Sequence, residues 1–171
     1  QGRRQPLCAV PMASLLSNGA YRRARHLDLL SNALVDLAMG DISRLMVLMP
    51  PRHGKSETCS YWFPTWLYAL WPNTKIISAS YGFSLVRRQG YRVREALSSL
   101  SLGANLAKGS KAAADWTTTD GGEFFAAGVG GGVTGRGADF LIMDDVVSGS
   151  KEASSPVIQA RNWKWWNEDF R

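Results

Sequence analysis

Lys55 and Ser56 are the residues best equipped for chemistry. Gly54 and the run Pro50-Pro51-Arg52-His53 precede them, and Glu57 follows. An ammonium and a hydroxyl at the start of a helix suit a polyphosphate with its metal ion. The first N–H groups of a helix have no intrahelical partner, and the helix dipole adds partial positive charge there. Pro50 and Pro51 lack an N–H, so the donors must come from Arg52 onward. Arg52, His53, Gly54, Lys55, Ser56 and Glu57 therefore read as a phosphate-binding loop. In it, Lys55 reaches the β- and γ-phosphates and the Ser56 hydroxyl meets Mg²⁺. The usual loop has a glycine six residues before its lysine, and Met49 stands there instead.

A second constellation is Phe140-Leu141-Ile142-Met143-Asp144-Asp145. An apolar run ending in acids is the pattern of a Walker B strand. The first acid, Asp144, is placed to hold Mg²⁺, and the second, Asp145, to orient and polarise an attacking water. The glycine run Gly130-Gly131-Gly132-Val133-Thr134-Gly135-Arg136-Gly137 leads into this strand and not into a helix. It reads as a mobile loop that holds Arg136 out toward a partner or a nucleotide.

These groups must be positioned by a core. The chain has 171 residues with 45% hydrophobic and 20% charged content, enough for one globular domain. Its net charge of +6 and pI near 9.6 permit nucleic-acid binding without establishing it. Two cysteines, Cys8 and Cys59, and two histidines, His26 and His53, make no zinc spacing and suggest a reducing compartment. No apolar run reaches membrane-spanning length, so a soluble cytosolic protein is expected.

Residues 1–20 read as an irregular lead-in and 21–171 as one domain. Leu27, Leu30, Leu34 and Leu37 form one helical stripe that Gly40 should end. Residues 44–49 read as the first strand, apolar on both faces. Cys59, Trp62, Phe63, Trp66, Leu67 and Leu70 make a buried helical stripe, kinked or split at Pro64. Lys75–Ser80 is the second strand. The helix from 84 to 97 buries Val86, Val93 and Leu97 and carries Arg87, Arg88, Arg92 and Arg94. Residues 98–120 read as loops and 123–129 as a strand. Residues 150–170 read as helix, with Trp163 and Trp166 sharing a buried face and Trp165 pointing elsewhere. The fold class is α/β with a mainly parallel central sheet flanked by helices.

Four blocks together resemble the large terminase subunit of tailed bacteriophages. They are Pro50 to Glu57, Ser78-Ala79-Ser80-Tyr81, Gly128 to Asp139, and Leu141 to Asp145, in the family's order and spacing. The resemblance covers about residues 21–170. It implies a P-loop NTPase of the additional-strand type: an ATP-driven, Mg²⁺-dependent motor that packages double-stranded DNA into a procapsid. The implied partners are a portal protein, a small terminase subunit and a pentameric ring of like subunits. The implied place is the host cytoplasm, at the procapsid portal. The coupling motif and a nuclease domain are then expected beyond Arg171.

Carried over by residue, Lys55 and Ser56 match the family's Walker A lysine and hydroxyl, and Asp144 its Walker B acid. Asp145 stands where many members have a catalytic glutamate, with a side chain one methylene shorter. The arginine finger is either Arg136, acting on the neighbouring subunit, or Arg52, acting in cis; such fingers are worth about 10³–10⁵ in rate. Two other readings stay open: a helicase-like or DNA-repair ATPase, and a non-catalytic module that binds nucleotide to hold an assembly together.

Overall fold

The computed structural model describes residues 8–169, apart from 101 and 111. Its centre is a four-stranded sheet of β1 (Lys75–Ser80), β2 (Asp115–Thr117), β3 (Glu123–Gly128) and β4 (Phe140–Met143), in the order β2-β3-β1-β4. β1 runs parallel to both β3 and β4, with Ile76 opposite Phe124 on one side and Phe140 on the other. The short β2 joins antiparallel at the β3 edge. The α/β class and the mainly parallel sheet are as the sequence implies.

The pleat sorts the strand residues between two helical layers, which is why these strands are apolar on both faces. Ile76, Phe124, Ala126, Phe140 and Ile142 face one layer, built from α1 (Ala9–Leu16), α2 (Arg25–Met39), α4 (Phe63–Leu70) and α5 (Phe83–Ser99). Ile77, Ala79, Phe125, Ala127 and Leu141 face the other, where Val133 and Trp165 of α7 (Pro156–Asp169) cover them. A four-residue helix, α6 (Ser150–Ala153), precedes α7.

Several expectations need correcting. The lead-in is not irregular throughout, because α1 occupies residues 9–16. Pro11 sits in its first turn, where a missing N–H costs nothing. Residues 1–7 of the expected lead-in lie outside the described residues. The short β2 also interrupts the loops expected over 98–120.

The stretch 44–49 is extended but joins no strand ladder. Leu45, Val47 and Met49 pack on the core, while Met46 and Leu48 are 83% and 86% exposed. The alternation of a strand is present and its neighbour is not. A groove lined by Leu34, Leu37, Leu45, Val47, Phe63 and Phe140 through Met143 separates this stretch from β4. Among the described residues β4 therefore pairs only with β1.

The stripe around Pro64 is nearly as expected. Trp62, Phe63, Trp66 and Leu67 are buried, and so is Tyr68, which the stripe omitted; Leu70 is exposed. The helix is split by a π-helical turn, Thr58–Trp62, between the short α3 (Lys55–Glu57) and α4. Pro64 has no N–H for the carbonyl four residues earlier, and a wider turn absorbs the mismatch. Thr65 Oγ1 donates to the Tyr61 carbonyl at 2.7 Å.

At the C-terminal end the tryptophans are reversed. Trp165 is buried, 6% exposed, and its indole N–H donates to the Gly131 carbonyl at 2.9 Å; Trp163 is 66% exposed.

Candidate functional site

The loop of residues 50–54 connects the stretch 44–49 to α3. Two of its residues are left-handed: Arg52 at φ 64° and Gly54 at φ 89°. Gly54 is required twice over, because a Cβ there would also lie 3.1 Å from Leu27 Cδ2 on α2. Side chains brace the turn. His53 Nδ1 bonds the Pro51 carbonyl at 2.8 Å, and His26 Nε2 of α2 bonds the His53 carbonyl at 3.1 Å. Both carbonyls can only accept, so both imidazole nitrogens donate. Thr58 Oγ1 donates to the Gly54 carbonyl at 2.8 Å and pairs with the Tyr21 hydroxyl.

The acids arrive from the carboxyl end of β4. Asp144 N–H donates to the Ala79 carbonyl at 3.0 Å, and Tyr81 N–H donates to the Asp145 carbonyl at 2.8 Å, so β1 sets the position of both acids. Asp145 is itself left-handed, at φ 50°. Three non-glycine residues among those described have positive φ, and two of them, Arg52 and Asp145, line the same depression. Strain of this kind gathers where a site over-determines the backbone.

Loop and acids meet at Lys55. Its Nζ lies 3.0 Å from Asp144 Oδ1 and 3.1 Å from Asp145 Oδ1. Asp144 is buried, 7% exposed. Burial pushes its carboxyl up, but hydrogen bonds from Ser56, Lys55 and Ser60, with the Lys55 charge, outweigh burial and hold it below the usual carboxylate value. Burial likewise lowers Lys55, and the two aspartates reverse that and raise it. The result is a hydroxyl, an ammonium and an exposed carboxylate around an open depression of about 470 Å³, while the buried Asp144 carboxylate, paired with Lys55, lines the neighbouring groove beside β4. Met49, Pro50, Pro51, Arg52, Gly54 through Glu57 and Asp145 line the depression.

Lys55, Ser56, Asp144 and Asp145, singled out from the sequence, are thus brought together with Arg52, Gly54 and Glu57. His53 contributes through its backbone turn. Arg136 is not brought there. Its guanidinium pairs with Asp115 of β2 at 2.9 Å and lies 3.8 Å from the Phe125 ring centre, on the sheet face that α7 covers. The glycine run is anchored through part of its length: Val133 is buried, Gly131 accepts from Trp165, and Thr134 donates to Asp169, while residues 134–139 are exposed. The Cys59 thiol, pushed up to about 12 by burial and by Asp144, is no nucleophile.

Three contributors were missed. Ser60 donates to Asp144 Oδ2 at 3.0 Å; it follows Ser56 by one helical turn, a spacing that could have flagged it. Arg92 clasps Glu57, and His26 props the loop; neither has a sequence signal beyond its charge.

Oxygen donors from Ser56 and Asp144 fit a small hard cation that keeps most of its shell for phosphate and water. Among the described residues no group of three His, Cys, Asp or Glu forms a cage for an ion, so such a cation would be shared with its ligand. No family model matches the chain, and no curated protein or solved structure matches it either.

Proposed function

We propose that this chain is the ATP-hydrolysing domain of a DNA-packaging motor of the large-terminase kind. The observation that carries the reading is Lys55, fixed between the loop and both acids that end β4. Its ammonium is paired with both carboxylates. An arriving triphosphate replaces Asp145 as its partner. Asp145, exposed and released, then orients a water in line with the γ-phosphate. Arg52 lies in the loop to sense that phosphate in cis. Mg²⁺, held by Ser56 and Asp144, would neutralise charge on the phosphates.

The additional-strand form of the P-loop fold is part of the same proposal. It is supported by the largely apolar groove that lies between 44–49 and the edge of β4 left unpaired among the described residues. The basic surfaces suit double-stranded DNA, and a pentameric ring, a portal protein and a small terminase subunit are the partners this reading requires, at the procapsid portal in the host cytoplasm. Among the described residues no helix is long and apolar enough to cross a membrane. For Arg136 to act on a neighbouring subunit, it must first leave Asp115. That docking favours a second reading, in which nucleotide only braces an assembly and is not turned over.

ATP turnover across a wide range of protein concentration, with Lys55→Ala as control, separates these. Turnover rising faster than linearly, and lost in the variant, supports a site completed between subunits by Arg136. Linear turnover assigns the finger to Arg52. Nucleotide binding without turnover, in the assembled full-length protein, supports the bracing module. No binding at all refutes the phosphate-loop reading.

A further inference from the structure

Glu57 is an anion at the rim of a site that, on the reading above, takes a polyanion. It is also the third residue of α3, whose N-cap is Gly54. A glutamate at that position can reach back to the N-cap N–H as a capping box. Here that N–H belongs to the phosphate loop, so a capping Glu57 would occupy a donor that phosphate needs.

It does not do so in this structure. Both carboxylate oxygens are taken by Arg92 of α5: Nη2 donates to Oε1 at 2.6 Å and Nη1 to Oε2 at 2.8 Å. The guanidinium is fixed in turn, 3.9 Å from the centre of the Tyr61 ring, one helical turn beyond Glu57. A planar fork on a carboxylate with an aromatic floor is the arrangement in which arginine is not replaceable by lysine.

We propose that Arg92 is a positioning residue for the phosphate loop: it holds the Glu57 carboxylate against α5 and so keeps the loop N–H groups free for phosphate. The proposal rests on the nucleotide reading of that loop. It also links α5, whose Arg87 and Arg88 face solvent, to nucleotide binding through one ion pair.

The test is a fluorescence titration of the full chain with a methylanthraniloyl-labelled ATP, with and without Mg²⁺. Losing Arg92 frees Glu57 to cap, so Arg92→Gln weakens binding about tenfold. In a Glu57→Ala background nothing is left to cap, and the same Arg92→Gln change costs less than about twofold. Arg92→Lys, which keeps the charge but loses the fork, falls between wild type and Arg92→Gln. It carries the cycle should Arg92→Gln melt below the assay temperature. An equal loss in both backgrounds makes Arg92 an independent charge or a brace of the fold and overturns the proposal, as does no loss in either. Lys55→Ala separates the two levels. If the wild type binds and Lys55→Ala does not, the outcome of the cycle bears on Arg92 alone. If the wild type does not bind, or Lys55→Ala binds equally, the nucleotide reading falls and this proposal with it.

Discussion

Lys55→Met should destabilise the ligand-free protein at neutral pH by about 2 kcal/mol, and the loss should shrink on acidification. Methionine keeps the aliphatic stem and removes the ammonium. Asp144 then loses its counter-charge and one of its three side-chain hydrogen bonds, keeping those from Ser56 and Ser60. A hydrogen bond to a charged group is worth about 1.5–3 kcal/mol, and leaving a fully buried ion without its partner costs about 3–5 kcal/mol. The Lys55 side chain is 30% exposed, so water can enter and the lower range applies. The contact with Asp145, whose side chain is 60% exposed, adds little. In a domain of this size about 2 kcal/mol corresponds to a fall in Tm of about 4–8 °C.

The pH dependence follows from the direction of each shift. The carboxyl of Asp144 is lowered in the folded state, so its contribution is present above the ordinary carboxylate value of about 4 and is lost as pH falls through the folded value. Lys55 is raised, so its contribution is present below the ordinary lysine value and is lost only as pH rises through the higher folded one. With Lys55 gone, Asp144 loses its hydrogen bond and its charge, two of the causes that lower it, so the carboxyl rises relative to wild type. The variant then takes up a proton more readily and recovers ground relative to wild type in acid. Thermal melts by circular dichroism at pH 7.5 and pH 4.5 read both effects. Lys55→Met/Asp144→Asn should regain most of the loss, because a neutral amide needs no counter-charge. A Tm unchanged at pH 7.5, or an equal deficit at both pH values with no recovery in the double variant, would refute the argument.

Gly54→Ala should cost about 1–3 kcal/mol of stability, since φ 89° and the Leu27 contact both oppose a methyl group, and on the proposed nucleotide reading it should also abolish nucleotide binding; an isothermal titration identical to wild type would contradict this. Trp165→Ala should destabilise by about 3 kcal/mol while Trp163→Ala stays within about 0.5 kcal/mol, measured by urea denaturation; equal effects would mean that α7 is not docked through Trp165. Cys59, pushed up to about 12, should react with a thiol reagent at pH 8 only after denaturation, in a Cys8→Ser background; fast native labelling would show the thiol to be accessible and ionised.

The parallel strands were legible because their signal is local. Ile76-Ile77-Ser78-Ala79 and Phe140–Met143 are short, mainly apolar stretches bounded by polar residues, and a strand between two helical layers needs no more. The meeting of Lys55, Ser56 and Asp144 was legible for a related reason. A loop at a helix start and an acid at a strand end are each set by a few adjacent residues, and the parallel sheet brings the two ends together. What failed depends on a neighbour. Residues 44–49 satisfy every local test for a strand, but a ladder needs a second backbone within hydrogen-bond reach, and β4 lies across an apolar groove. Trp163 and Trp166 share a helical face, but α7 touches the sheet through Trp165 beneath the glycine run, and one contact leaves no stripe to read.

The four arginines of α5 show the same limit at the site. In sequence they are equivalent positive charges on one helix. In the fold Arg92 is committed to Glu57 and Tyr61, and Arg94 to Glu95 and the Ala112 carbonyl, while Arg87 and Arg88 face solvent. Which arginine meets an acid depends on how α5 rotates against α3. That rotation is fixed by the burial of Val86, Val93 and Leu97, and by Gly90, where an added Cβ would lie 2.5 Å from the Phe124 ring. Replacing Gly90 with alanine would push α5 off the sheet and pull Arg92 from Glu57. On the proposed nucleotide reading, a lesion distant from the Lys55 loop should therefore weaken nucleotide binding, and Glu57→Ala should restore part of it if the Arg92 contact is the route. If Gly90→Ala lowers Tm but leaves the affinity of the folded fraction untouched, α5 and the loop are mechanically independent and the linkage argued from Arg92 fails.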